Sequence, residues 1–266
     1  LRGWAILGMA LSGLLPWGSL PAWMYHAQVP PPEMKFDPSV SGLTWVDLVF
    51  PFFIFAMGAA IPFALGRKLD KGQPWWETLE GLVKRALLLL AFAFLVQATR
   101  PSSLPEPGSV GTQVQGVGFF LGILFCFGVH PSVPKWGLVS VRFTGLVALI
   151  ACAWPLIQND KLSLLNQDII IRVLAAVSLT GGLVYWGSRS WKWLPHVVFA
   201  AVLVWFALAK AWPPAAASLE WTFHPLFTRL EYQKYLLVLI PGLLYGKWLL
   251  SRDDESQAGW KKSEQI

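Results

Sequence analysis

Apolar blocks about as long as a bilayer is thick constrain this chain more than any other feature. Between Leu48 and Gly66 no residue is charged, and the run Ala86–Leu95 (ALLLLAFAFL) is equally bare. A helix in a soluble domain needs only an apolar stripe; one that is apolar all round must be surrounded by protein or lipid. A transmembrane helix takes about 20 such residues. Eight candidate spans follow, near residues 3–20, 44–66, 82–99, 114–130, 138–157, 168–187, 194–212 and 233–250. The expected fold is therefore all-α, a polytopic transmembrane helix bundle of about eight spans over residues 1–250. Residues 251–266 are expected as a polar cytoplasmic tail or a truncated loop. The chain opens at Leu1, without a Met and already inside an apolar segment, so we expect it to be part of a larger bundle. Pro51, Pro62 and Pro241 fall inside spans, where a missing backbone N–H predicts a kink.

Composition excludes an ordinary soluble domain. Charged residues make up 14% of the 266, against about 25% in soluble domains, and mean hydropathy is +0.51. Ten of the 16 Trp (17, 23, 45, 75, 76, 136, 191, 193, 212 and 221) stand at or near block ends, where indole rings favour the membrane interface. The net charge of +6 does not read as a nucleic-acid footprint, because the Lys and Arg lie in short segments between blocks and form no stripe. Their distribution sets orientation instead. With residues 1–2 inside, fourteen of the 21 fall in cytoplasmic segments and five (Lys35, Arg100, Lys161, Arg229, Lys234) outside. That bias places both ends of the chain in the cytoplasm. Cys126 and Cys152 lie within apolar blocks and read as small buried hydrophobes, neither a disulfide nor metal ligands.

Two outside loops are long, Pro21–Gly42 and Pro213–Tyr232. Polar groups near membrane depth are functional candidates by default. Asp47, at the start of the second span, reads either as a helix-start cap or as an acid that orients a neighbouring His. His26, in the first outside loop, is either a plain exposed residue or a general base. Asp168 and Arg172 stand at i and i+4, the spacing of a self-neutralising pair. Gln115 suits a hydrogen bond between helices. His130, His196 and His224 sit beside prolines at span edges and read as interfacial. No metal-spaced cluster, phosphate-binding glycine loop, nucleophile elbow or dinucleotide fingerprint occurs.

The string LTWVDLVFPFFIFAMGAAI at 43–61 resembles the signature of the heparan-alpha-glucosaminide N-acetyltransferase-like family, multi-pass membrane acyltransferases with a bacterial branch. The opening LRGWAILGM is similar to that family's first helix, the tripeptide Tyr25-His26-Ala27 sits between it and the signature as the family's His does, and the runs NQDIIIRVLAAVSLTGGLVYW (166–186) and LEYQKYLLVLIPGLLYGKWL (230–249) are similar to its later helices, all in the same order. The resemblance implies transfer of an acetyl group from cytosolic acetyl-CoA to an amino sugar or other saccharide beyond a bacterial inner membrane. It makes His26 and Asp47 catalytic and assigns Arg67, Lys68, Lys84, Arg85 and Gln115 to binding acetyl-CoA, with the CoA phosphates near the four cations. No metal is implied. The partners implied are acetyl-CoA, a saccharide acceptor and the lipid bilayer, with no nucleic acid; a homo-oligomer is left open. Two family features differ here: a late first-helix Asn reads Ser12-Gly13, and a Gln-Arg pair reads Gln115-Gly116. Two alternatives stand beside this reading. One is a transporter or permease for a small polar or lipid-linked solute; the other is a catalytically degenerate structural relative.

Overall fold

The structure is a computed structural model that describes residues 2–16, 18–37, 39–99, 109–127, 134–158, 169–220 and 229–263. The elements in chain order are α1 (Arg2–Leu14), α2 (Trp45–Asp70), α3 (Trp75–Thr99), α4 (Val110–Phe127), α5 (Lys135–Gln158), α6 (Ile169–Gly187), α7 (Leu194–Ala211), the short α8 (Pro213–Leu219) and α9 (Leu236–Ser263). Two 3-10 turns, Ala22–Met24 and Leu230–Tyr235, precede α2 and α9. The described chain is all-α. Among the described residues, four stretches are long and apolar enough to cross a membrane: Trp45–Asp70, Trp136–Trp154, Ile169–Gly187 and Leu194–Ala211. In the last of these only 6% of the apolar window is buried, so its surface must meet lipid. The chain is an integral membrane protein.

The element boundaries depart from the sequence reading in several places, three of which have a local chemical cause. First, α1 stops at Leu14 rather than near residue 20. Pro16 disfavours helix at the residue before it, and Gly18 turns the chain at φ 74°. At 13 residues, α1 is only about 20 Å long. Second, the expected loop from Pro213 contains α8, which starts with proline at its first helical positions, where a missing N–H costs nothing. Third, the expected polar tail or loop after residue 250 continues α9 to Ser263. Nothing from Ser251 to Ser263 breaks a helix except one tolerated Gly259. Helices α2 and α9 run unbroken through Pro51, Pro62 and Pro241.

The chain divides into two compact units. The first comprises 1–86, 176–222 and 229–266. Its core is the seam between α2 and α9, centred on the fully buried Ile54, Leu239, Ile240 and Leu243. Three glycines let the backbones touch. A Cβ on Gly58 would collide with the Leu239 carbonyl oxygen, one on Gly242 with that of Phe55, and one on Gly246 with that of Ala59. Small residues serve this purpose in membranes because lipid provides no hydrophobic drive between helices, leaving close packing to hold them. Contacts step in the same direction along both helices, and the Phe50 and Tyr235 rings meet at 5.3 Å near their starts, so α2 and α9 run parallel.

The second unit comprises 87–175 and 223–228. Among its described residues α4 packs on α5 around the fully buried Phe119 and the buried Leu149. Gly122 and Gly145 face each other there: a Cβ on Gly122 would lie 3.1 Å from the Gly145 carbonyl oxygen, and one on Gly145 2.9 Å from that of Gly122.

Candidate functional site

The loop from Leu15 to Thr44 is tied down before it presents any chemistry. Tyr25 is buried; its hydroxyl donates to the Pro16 carbonyl at 2.5 Å and accepts the Leu20 N–H at 3.0 Å. The next residue, His26, is followed by a turn closed by Val29 N–H on the His26 carbonyl at 2.9 Å. Farther on, the Asp37 N–H returns to the Gln28 carbonyl at 2.8 Å. Exposed Asp37 is held ionised below the usual carboxylate range by the hydroxyl and N–H of Ser39.

Asp47 lies in the first turn of α2 and divides its two oxygens between two tasks. Its Oδ2 accepts the Thr44 N–H at 2.9 Å and the Ala27 N–H at 3.1 Å, the first being the carboxylate half of a capping box. Its Oδ1 lies 2.6 Å from His26 Nδ1. An ionised carboxylate can only accept, so Nδ1 carries the proton. In neutral imidazole this leaves the Nε2 lone pair free. Thr44 completes the frame: its hydroxyl donates to the Tyr25 carbonyl at 2.6 Å and stands 3.1 Å from Asp47 Oδ2. The Asp47 side chain is 11% exposed and that of His26 57%. The carboxylate is thus fixed inside while the imidazole remains reachable. A cavity of about 280 Å³ opens beside it, lined by Ser12, Leu15, Met24, Val29, Met34 and Val46 together with Tyr25 and His26. Such a constellation can position an imidazole as a proton acceptor with its tautomer set by a carboxylate.

The remaining sequence candidates lie elsewhere. Lys68 is 21 residues beyond Asp47 on the same helix, about 31 Å away along its axis. Lys68, Lys84 and Arg85 are exposed, and Arg85 borders a separate cavity of about 90 Å³ with Met57, Ile61, Leu82 and Ser178. The Arg67 side chain lies outside the described residues, as do Asp168, His130 and His224. Arg172 is buried and His196 exposed. In the second unit Gln115 Nε2 donates to the Cys152 carbonyl at 2.6 Å, bridging α4 and α5. The α2 end remote from His26 carries an ion pair, Arg189 to Asp70 at 2.7 Å, which raises the Arg189 pKa further. Among the described residues, no group of three or more His, Cys, Asp or Glu could hold a metal ion.

Sequence reasoning missed the parts that hold the pair. Thr44 could have been found from Thr44-x-x-Asp47, a helix-start signature. Tyr25 and the Ala27 N–H gave no such signal, since their roles depend on the loop folding back over α2.

Fold and site together define an integral membrane helical protein that displays a carboxylate-oriented histidine at one end of its longest apolar helix. Over residues 1–249 the chain matches DUF5009, described as a domain of unknown function, and it belongs to that family. No curated protein and no solved structure matches it.

Proposed function

We propose that this protein is a membrane acetyltransferase, akin to the heparan-alpha-glucosaminide N-acetyltransferase-like family. On this reading it moves an acetyl group from cytosolic acetyl-CoA to an amino sugar or other saccharide on the extracytoplasmic side. The observation that carries the reading is the 2.6 Å contact between His26 Nδ1 and Asp47 Oδ1 beside a cavity. His26 Nε2 takes the proton from the acceptor amine or hydroxyl as its N or O attacks the thioester carbonyl. The C–S bond then breaks, the thiolate of CoA leaves, and the proton on Nε2 is returned to it. Asp47 stays ionised throughout and stabilises the imidazolium that forms between the two steps.

The topology proposed with this function has eight spans in a bacterial inner membrane, both chain ends in the cytoplasm and His26 outside. The parallel course of α2 and α9 supports it, since the charge bias has both enter the bilayer from the same face. The separation of about 31 Å between Asp47 and Lys68 matches a hydrocarbon core of about 30 Å. CoA phosphates, too charged to cross, would be met by the Lys68 end, with Arg67, Lys84 and Arg85 as further cations.

Thiol release tests the reading directly. Purified protein given acetyl-CoA and a panel of amino sugars should liberate free CoA, and His26→Ala should cut the rate by about 10²–10⁴-fold, the usual contribution of a general base. Solute uptake into proteoliposomes with no thiol release would instead make the protein a permease. Silence in both assays would favour the degenerate structural relative.

A further inference from the structure

The depth of His26 follows from α2. The charge-free run of that helix, residues 48–66, is about 28 Å long, close to the thickness of a hydrocarbon core. A charge inside that core is costly, so the run fills it and Asp47 stands at its rim. His26 Nδ1 lies 2.6 Å from Asp47 Oδ1. The imidazole is therefore held where hydrocarbon gives way to head groups, and not out in bulk water.

The loop around His26 suits the same layer. Trp23 is 63% exposed, Phe36 73% and Leu43 76%. One large apolar side chain on a surface is ordinary; three on a single loop at this depth are explained by lipid contact, and aromatic rings favour the interface. Neighbouring Glu33, Lys35 and Asp37 are exposed too, which fits the polar head-group layer and not the hydrocarbon beneath it. The backbone agrees. The N–H groups of Met24, Val29, Met34 and Asp37 are bonded within the loop and that of Ala27 to Asp47, as a chain kept from free water requires.

We propose that the loop from Pro21 to Leu43 lies in the interfacial layer of the bilayer, seated by Trp23, Phe36 and Leu43, so that His26 meets head groups carried in the plane of the membrane. The contact with lipid stands without the transferase reading; that the acetyl acceptor is itself the head group of a membrane-anchored molecule rests on it.

The test uses the full chain, one copy per phosphatidylcholine nanodisc, with Cys126 and Cys152 replaced by Ala. Nitroxide labels go singly at Trp23→Cys, Phe36→Cys and Leu43→Cys, with Lys35→Cys as the polar reference on the same loop. Oxygen, which concentrates in lipid, should relax the first three labels more than a water-soluble nickel chelate does, at a depth of about 5–10 Å, and the label at 35 should show the reverse. Nickel relaxing all four alike would put the loop in water. Exclusion of both agents from 23, 36 and 43 would mean that protein covers them. Either result overturns the proposal. A second arm reads access to the imidazole in discs of the parent chain. N-bromoacetyl phosphatidylethanolamine placed in the discs should alkylate His26, the N–C bond forming as bromide leaves, and His26→Ala should lose that label. Trp23→Ser with Phe36→Ser, which leaves the imidazole in place, should slow the lipid reaction about tenfold, the worth of one ring withdrawn from lipid, and leave the rate with aqueous bromoacetamide unchanged. Alkylation by bromoacetamide alone, or by neither reagent, would also overturn the proposal. Neither arm needs turnover. Lipid alkylation without thiol release would sink the transferase and spare the loop, and thiol release with the labels in water would do the reverse.

Discussion

Asp47 was open to two readings in the sequence, helix cap or partner of a histidine, and its two oxygens serve both. Each oxygen takes a separate set of donors, so the residue need not be exclusive. This coupling has a measurable consequence. In Asp47→Asn one carbonyl oxygen must replace two acceptors while an NH₂ faces backbone N–H groups. We expect thiol release to fall by at least about a hundredfold, as when the acid of a catalytic triad becomes an amide. Thermal unfolding in detergent should also show a loss of about 1 kcal/mol, the usual value of a helix cap. Tyr25→Phe separates support from chemistry. It deletes the hydroxyl that joins Pro16 to Leu20 but leaves the imidazole and carboxylate in place. Faster hydrogen exchange at the Leu20 amide, with the His26–Asp47 contact intact by NMR, is the expected result; unchanged exchange would mean that the hydroxyl does not hold the loop. The pair itself was half legible: His26 and Asp47 could be singled out by type and place, but not their distance. The two are 21 positions apart, and nothing in the loop between them states that it folds back on α2.

At the scale of the helices, the sequence read type well and ends poorly. Apolar length alone located α2, α5, α6 and α7, because a span needs little more than composition. The break at Leu14 and the continuation of α9 past Leu250 were decided by local chemistry instead, Pro16 and Gly18 in one case and a stretch without proline in the other. The seam between α2 and α9 was not legible at all, since Gly58 and Gly242 are 184 positions apart and a glycine carries no mark of what it touches. The structure makes them testable. Gly58→Ala and Gly242→Ala each press a methyl group against a backbone carbonyl that cannot step aside. Each should cost about 1–3 kcal/mol, the range for overpacking. Gly81→Ala, with nothing within 4 Å of its new methyl, should be neutral or slightly stabilising. Matched thermal or denaturant unfolding in detergent checks all three, and an equal response from Gly58 and Gly81 would refute the seam.

For the whole molecule, the charge bias and the helix directions make one statement about sidedness. With Cys126 and Cys152 replaced by Ala, a new Cys at exposed Ser41 should react in intact cells with a membrane-impermeant maleimide. A Cys at exposed Ser190 should react only after lysis. The opposite pattern would invert the protein and remove His26 from the face where the acceptor is proposed to arrive. The parallel seam also bears on biogenesis. Helix α2 is complete at Asp70 and its partner begins at Leu236, so on the order of ten to thirty seconds of translation separate them at about 5–20 residues per second. Throughout that interval the face of α2 around Gly58 lies in the bilayer without the neighbour it was shaped for. The newly inserted helix must be kept from pairing with the wrong companion until α9 arrives.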